Sequence, residues 1–112
     1  MSNSSTNSWS YDEFLCYLMI FAANADDHFH DKEKEFILEK SGQAAFDKMV
    51  KAWNDSDEMT RTQLIFAYKE QHFHTEEDGR KALGDLKKVY MADGVFDESE
   101  QEQMAALEEV LL

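Results

Sequence analysis

The sequence predicts an all-α protein, a compact bundle of about six to seven helices, from three observations. Apolar residues recur at the three- and four-residue spacing of a helix, and no stretch shows the period-two alternation of a half-buried strand. The 112 residues include no proline, so helices must end at glycines and capping residues. Because 43% of the residues are apolar, a buried core is expected. We therefore expect a single helical domain over residues 9–112, behind a disordered lead-in at residues 1–8.

The first helix is predicted over about residues 11–25. Ser10 and Glu13 have the spacing of a capping box, and Trp9 and Phe14 occupy the two positions of a hydrophobic staple around it. Four of its apolar residues are expected to be buried: Leu15, Leu18, Met19 and Ala22.

A glycine separates the next two predicted helices. The second begins near Asp31 and stops at Gly42, with Phe36 and Ile37 facing inward. The third covers residues 43–53 and carries apolar residues at helical spacing, namely Phe46, Met49, Val50 and Trp53.

Polar turn residues open the fourth helix. The run Asn54-Asp55-Ser56 is expected to break the third helix and to cap the fourth, at about residues 57–72. Its inward residues are Leu64, Ile65 and Tyr68. Aromatic and methionine side chains are expected in the core, including Phe66, Phe73, Met49 and Met59.

The last two helices follow Thr75 and Asp97. Thr75 can cap a fifth helix at about residues 76–92, ended by Gly94, and Asp97 opens the last helix. Gly79 and Gly84 each weaken the fifth helix by about 1 kcal/mol relative to alanine, so close helix packing is expected there.

Two segments of the chain repeat each other at an offset of 67 residues. Residues 25–33 and 92–100 share alanine, aspartate, phenylalanine and glutamate in register. Apolar positions upstream also align at the same offset. Each copy reads as a helix, a tight acidic loop and a second helix, which predicts two pseudo-repeated αα-hairpins.

The repeated loops carry candidate cation ligands. Asp26 and Asp93 fall at the C-terminal end of a helix, where the macrodipole disfavours a negative charge, and both copies repeat this choice. A bound cation would compensate for it. Asp97 and Glu100 add further oxygens, and such an oxygen-rich set suits calcium or magnesium.

The second loop matches only half of an EF-hand. If Gly94 is the central glycine, the first two ligand positions fall on Val89 and Met91, which cannot coordinate through their side chains. Capping and solvation explain the same residues without a metal, because Gly94 can stop one helix and Asp97 can start the next.

The chain resembles the TerB-like domain of bacterial tellurite-resistance systems over about residues 11–111. The motif that carries the resemblance runs from Ala92-Asp93-Gly94 to Glu100, with a degenerate copy from Ala25-Asp26-Asp27 to Glu33. The resemblance implies a helical domain with acidic residues at one pole and a divalent-cation site. It also implies a role in stress-response complexes, including membrane-associated ones.

The departures from the family motif concern the first copy. Asp27 stands in place of the glycine, and His30 stands where the second copy has Asp97. The matching acidic positions carried over from the family are Asp26, Glu33, Asp93 and Glu100. The metal ligands expected from the loops and the resemblance together are Asp26, His30, Glu33, Asp93, Asp97 and Glu100.

The histidines offer a different metal site. All four lie in two His-Phe-His triplets, His28/His30 and His72/His74, which could share a zinc or nickel ion. The dipole of a helix C-terminus explains His72 and His74 without a metal.

The formal charge of −13, from 24 acidic and 11 basic residues, argues against nucleic acid and anionic lipid as partners. We expect no secretory signal, because the first residues lack its basic and apolar series, and the longest apolar run, residues 14–23, is about half of a membrane span. Cys16, the single cysteine, is expected to be a buried packing residue, since it cannot form an intramolecular disulfide. A cytoplasmic protein without direct membrane insertion is expected.

No nucleotide-binding glycine loop, His-Glu-x-x-His motif or Gly-x-Ser-x-Gly elbow occurs, so we predict a non-enzyme. The leading hypothesis is a TerB-like module that binds calcium or magnesium and engages a protein partner. One alternative is a metal-free acidic adaptor that docks on a basic surface, because residues 93–109 hold seven acidic residues and no basic one. Another is a small apolar ligand held between helices.

Overall fold

The most apolar segment of the chain becomes its central helix. In the computed structural model, which describes residues 9–24, 31–92 and 98–112, helix α1 spans Tyr11–Ala23. Seven consecutive residues of α1, 14–20, are buried. Each of the other described helices contacts α1, so burial on nearly every side accounts for its continuous apolar run.

Five helices surround α1. Their bounds are α2 (Asp31–Ser41), α3 (Gln43–Asn54), α4 (Glu58–His72), α5 (Glu76–Tyr90) and α6 (Glu98–Leu111). The described residues therefore form six helices and no strand, which confirms the all-α prediction.

Helices α1 and α5 organise the packing. The contacts of α1 are most extensive with α3, followed by α5 and α2, and α5 also packs closely on α6. The turns that would complete the α1–α2 and α5–α6 hairpins, at residues 25–30 and 93–97, lie outside the described residues. The pseudo-repeat of the two hairpins therefore stays a prediction.

The start of α1 confirms the capping prediction. The Ser10 N–H donates to the Glu13 carboxylate at 3.0 Å, and the Glu13 N–H donates to Ser10 Oγ at 3.1 Å. Trp9 and Phe14 are both buried against Tyr68, with ring centroids 4.5 and 5.8 Å from its ring. The hydroxyl and carboxylate of the capping box fix the first turn, and the two aromatic rings anchor it to α4.

Gly42 separates α2 from α3 as predicted. Its φ of +88° lies in the region that a side chain disfavours, so the glycine ends α2 and lets α3 begin at once. Ile37 is buried, whereas Phe36 is only partly covered.

The cap of α4 differs from the prediction. Asn54 still belongs to α3, and the N-cap is Asp57, whose carboxylate accepts the Thr60 N–H at 2.8 Å. Helix α5 begins with a capping box between Thr75 and Asp78, as its sequence indicates. It ends at Tyr90, two residues before the predicted end.

The two glycines of α5 have different environments. A Cβ on Gly79 would lie 2.5 Å from the carbonyl oxygen of Leu111, so close packing of α5 against the end of α6 requires the glycine. Around Gly84 nothing lies within 4 Å of such an atom, and the residue is exposed. The prediction of close packing is confirmed at Gly79 and wrong at Gly84.

Cys16 is fully buried in α1, as predicted, and burial raises the pKa of its thiol. Its thiolate form is therefore suppressed, which fits a packing residue. No helix among the described residues has the length and apolar character needed to cross a membrane.

Candidate cation site and acidic surfaces

Two of the six predicted ligands lie among the described residues. They are Glu33 in α2 and Glu100 in α6, the glutamates that close the two repeated motifs. The other four predicted ligands, Asp26, His30, Asp93 and Asp97, lie outside the described residues.

Glu33 and Glu100 occupy the same place in their helices. Each is the third residue of its helix, and each is buried, with 1% and 4% of its surface exposed. They are the two buried charged side chains of the described residues. Carboxylates are rarely buried unless something compensates for the lost hydration, so both positions point to a specific requirement.

Tyr90 connects the two glutamates. It is the last residue of α5, is fully buried, and its hydroxyl hydrogen-bonds the side-chain oxygen of Gln103 in α6. Burial raises the pKa of Tyr90 most, and the negative charges of Glu100 and then Glu33 raise it further. Both carboxylates are therefore close enough to this hydroxyl to act on it electrostatically.

The negative charges of Glu33 and Glu100 both act on Tyr90, which has a chemical consequence. Like charges repel strongly where water is excluded, and a divalent cation would relieve that repulsion while accepting the hard oxygen ligands. Each carboxylate also has interactions with other groups of the protein. Over residues 9–24, 31–92 and 98–112 no three histidine, cysteine, aspartate or glutamate residues come together as a metal site. A complete ligand set would thus draw on residues 25–30 or 93–97.

The exposed acidic residues are distributed unevenly. Several basic residues are already paired, including Lys48 with Glu13 at 2.9 Å between α3 and α1, and Lys40 with Asp85 at 3.0 Å between α2 and α5. Helix α6 contains five glutamates and no basic residue. Its outer surface is therefore strongly negative without counter-charges on the same helix.

The second histidine triplet has a structural role at His72. The Nε2 atom of His72 lies 2.8 Å from the carbonyl oxygen of Trp9, which can only accept, so that nitrogen donates. The imidazole also stacks on Tyr68, with ring centroids 6.0 Å apart. His74 is exposed beyond the helix end, and His28 and His30 lie outside the described residues, so the shared zinc or nickel site stays a prediction.

Two residues predicted for the core are at the surface. Met49 and Phe73 are buried as expected, whereas Met59 is 71% exposed and Phe66 is 48% exposed. The helical spacing in α4 indicated an apolar face but could not show that two of its residues lack a covering helix.

The apolar groove beside Phe66 bears on the small-ligand alternative. It lies between α1, α4 and α6 and holds about 120 Å³, below the range of roughly 300–1,000 Å³ typical of ligand pockets. That volume fits one large side chain rather than a small molecule. Sequence reasoning missed this groove and the role of Tyr90, although the helical spacing of Leu86, Val89 and Tyr90 predicts that they share one side of α5.

Comparisons with known proteins identify no relative. No protein-family model matches the chain, and neither the curated proteins nor the solved structures provide a significant match. The resemblance to TerB-like domains therefore rests on the repeated motif.

Proposed function

We propose that the protein is a non-enzymatic TerB-like module of stress-response complexes that binds a divalent cation at its acidic pole and engages a protein partner. The observation that carries the proposal is the pair of buried glutamates, Glu33 and Glu100, which close the two repeated motifs and both act on Tyr90. A cap or a solvated loop explains an acidic residue at a helix start, but neither requires its burial.

In this proposal the two glutamates supply the fixed part of the ligand set. Asp26, His30, Asp93 and Asp97, with helix-end carbonyls, supply the rest from the two loops. Calcium and magnesium are the favoured ions, because carboxylate and carbonyl oxygens are hard ligands. When bound, the ion would neutralise the repulsion between the carboxylates and tie the starts of α2 and α6 together.

The alternative function is a metal-free acidic adaptor. It is supported by α6, whose glutamates at 98, 102, 108 and 109 are exposed and have no basic neighbour on the helix. Association of such an adaptor with a basic partner weakens steeply with salt and is insensitive to chelators.

Thermal unfolding with added cation tests the proposed site. We expect calcium, magnesium or manganese to raise the Tm of the chelator-treated protein, with a stabilisation of about 2.7 kcal/mol at one hundred times the Kd. Glu33→Gln combined with Glu100→Gln should abolish this rise. Asp93→Asn combined with Glu100→Gln tests the loop ligand in the same way.

Glu102→Gln and Glu109→Gln together form the matched control. Both residues lie on α6 and are exposed, and the two substitutions remove the same charge as Glu33→Gln combined with Glu100→Gln. The control should keep the full rise in Tm. The cation claim is wrong if none of the three ions raises the Tm, or if the rise survives unchanged in the variant that lacks both buried glutamates.

A further inference from the structure

The apolar groove is built from three helices that leave a gap between them. Its walls come from α4 and α6, which have little direct packing on each other, and Phe21 of α1 contributes to its lining. Ile65 and Leu107 are buried at its base. The remaining lining residues are Thr62, Phe66, Gln103, Ala106 and Val110.

Two further depressions extend the groove toward the start of α4. One adjoining depression shares Phe21 and Gln103 with it and extends to Trp53. Another shares Thr62 and extends to Met59 near the start of α4. Met59 and Phe66 are exposed apolar residues seven apart on one side of α4, and the exposed Thr62 and Gln63 lie between them.

Acidic side chains border this surface on both helices. On α6, Glu102 and Glu109 lie one turn before and one turn after Ala106 and are exposed. On α4, Glu58 lines the adjoining depressions, and Glu70 follows Phe66 by one turn and is exposed.

The basic residues near the groove are fewer. Arg61 is held in place, since its guanidinium lies 3.9 Å from the Trp53 ring and donates to the Trp53 carbonyl at 2.8 Å. Lys69 follows Phe66 by three residues and is partly covered. The border therefore keeps a clear excess of negative charge.

We propose that this groove receives a basic amphipathic helix of a partner protein. One large apolar side chain of that helix would fill the gap beside Phe66, and its lysines or arginines would face Glu102, Glu109 and Glu70. An apolar groove with a charged border is the usual receptor for such a helix. A second copy of this chain is disfavoured as the occupant, because two chains of charge −13 repel each other.

The inference rests on the proposed partner-binding role and is independent of the cation. Its probe is a fluorescent synthetic peptide of leucine and lysine, about 18 residues long and patterned as an amphipathic helix. Fluorescence anisotropy should show binding that weakens with salt and is unchanged by chelator. A peptide of the same composition with its leucines spread around the helix should bind at least about tenfold more weakly.

Matched variants separate the groove from general acidity. Phe66→Ala should weaken peptide binding about tenfold, whereas Met91→Ala, which truncates an equally exposed apolar residue, should leave it unchanged. Ala106→Lys fills the gap and adds a positive charge to its border, so it should weaken binding more than Phe66→Ala does. Ala44→Lys makes the same charge change at an exposed site on α3 and should have little effect.

Amide chemical-shift changes on peptide addition should concentrate in α4 and α6. Equal binding by Phe66→Ala and by the wild type, or equal binding of the two leucine–lysine peptides, would overturn the proposal. So would a Phe66-dependent dimer of the chain alone, because the occupant would then be a second copy. If the peptide binds but cations do not change the Tm, this inference holds. Only the cation-binding part of the proposed function is then wrong.

Discussion

Helices α1 and α5 occupy equivalent positions in the sequence repeat but have different surroundings. At the offset of 67 residues, five aligned pairs are buried in both helices, namely Leu15/Ala82, Cys16/Leu83, Met19/Leu86, Ala22/Val89 and Ala23/Tyr90. Four other pairs are buried only in α1, namely Phe14/Lys81, Tyr17/Gly84, Leu18/Asp85 and Ile20/Lys87.

The difference arises from the two helices that lie between the repeats in sequence. Trp53 of α3 packs on Tyr17 with ring centroids 5.7 Å apart, and Tyr68 of α4 packs on Phe14. The corresponding side of α5 has no such cover among the described residues and carries lysines instead. On one side of each helix, burial thus follows the sequence repeat. On the other side, burial depends on which helices pack against it.

The largest expected effect tests that cover. Phe14→Ala should lower the free energy of unfolding by about 3–5 kcal/mol, because it removes a fully buried ring from the contact with α4. Lys81→Ala, at the equivalent exposed position of α5, should change it by no more than about 0.5 kcal/mol. Urea denaturation measures both. Equal effects at the two positions would contradict the proposed asymmetry.

A smaller effect is expected at the glycines of α5. Gly79→Ala should destabilise the protein by about 1–3 kcal/mol, since the new methyl group would collide with the Leu111 carbonyl. Gly84→Ala should stabilise it by about 0.5–1 kcal/mol, because the site is open and alanine favours the helix. Thermal unfolding should therefore show a lower Tm for Gly79→Ala and a higher Tm for Gly84→Ala. A lower Tm for Gly84→Ala would contradict an open site on that side of α5.

The smallest effect concerns Tyr90, the last residue of α5. Because its pKa is raised in the folded state, the unfolded chain loses the phenolic proton first as the pH rises above about 10. Stability should therefore fall as the pH rises above that value, and Tyr90→Phe should reduce the slope. Tyr11→Phe should also reduce the slope, because burial and then nearby aspartates raise the pKa of Tyr11, but its effect should not change in Glu33→Gln or Glu100→Gln.

Ultraviolet titration of tyrosinate separates the causes at Tyr90. Glu100→Gln and Glu33→Gln should each lower the pKa of Tyr90, with the larger change at Glu100. An unchanged titration in both variants would show that the two carboxylates do not act on the hydroxyl.

Helix positions could be predicted from local chemistry. The capping box at Ser10 and the cap at Thr75 involve residues three apart, and Gly42 acts through its own backbone, so the sequence contains these signals directly. The predicted end of α5 extended two residues too far because no comparable local stop precedes Gly94.

Tertiary burial could not be predicted in the same way. Helical periodicity marks apolar sides of α4 but does not show which of them another helix covers, so Phe66 and Met59 were assigned to the core incorrectly. The motif indicated Glu33 and Glu100 as acidic positions. Their burial and their electrostatic effect on Tyr90 depend on how α2, α5 and α6 pack, which the motif does not show.

The enclosure of α1 also determines how the protein opens. Since each other described helix packs on α1, fraying of a single outer helix leaves most of its backbone protected. Its amide hydrogens should then exchange with solvent deuterium only when the whole assembly of helices comes apart. The slowest-exchanging amides of α1 consequently report the global free energy of unfolding under native conditions.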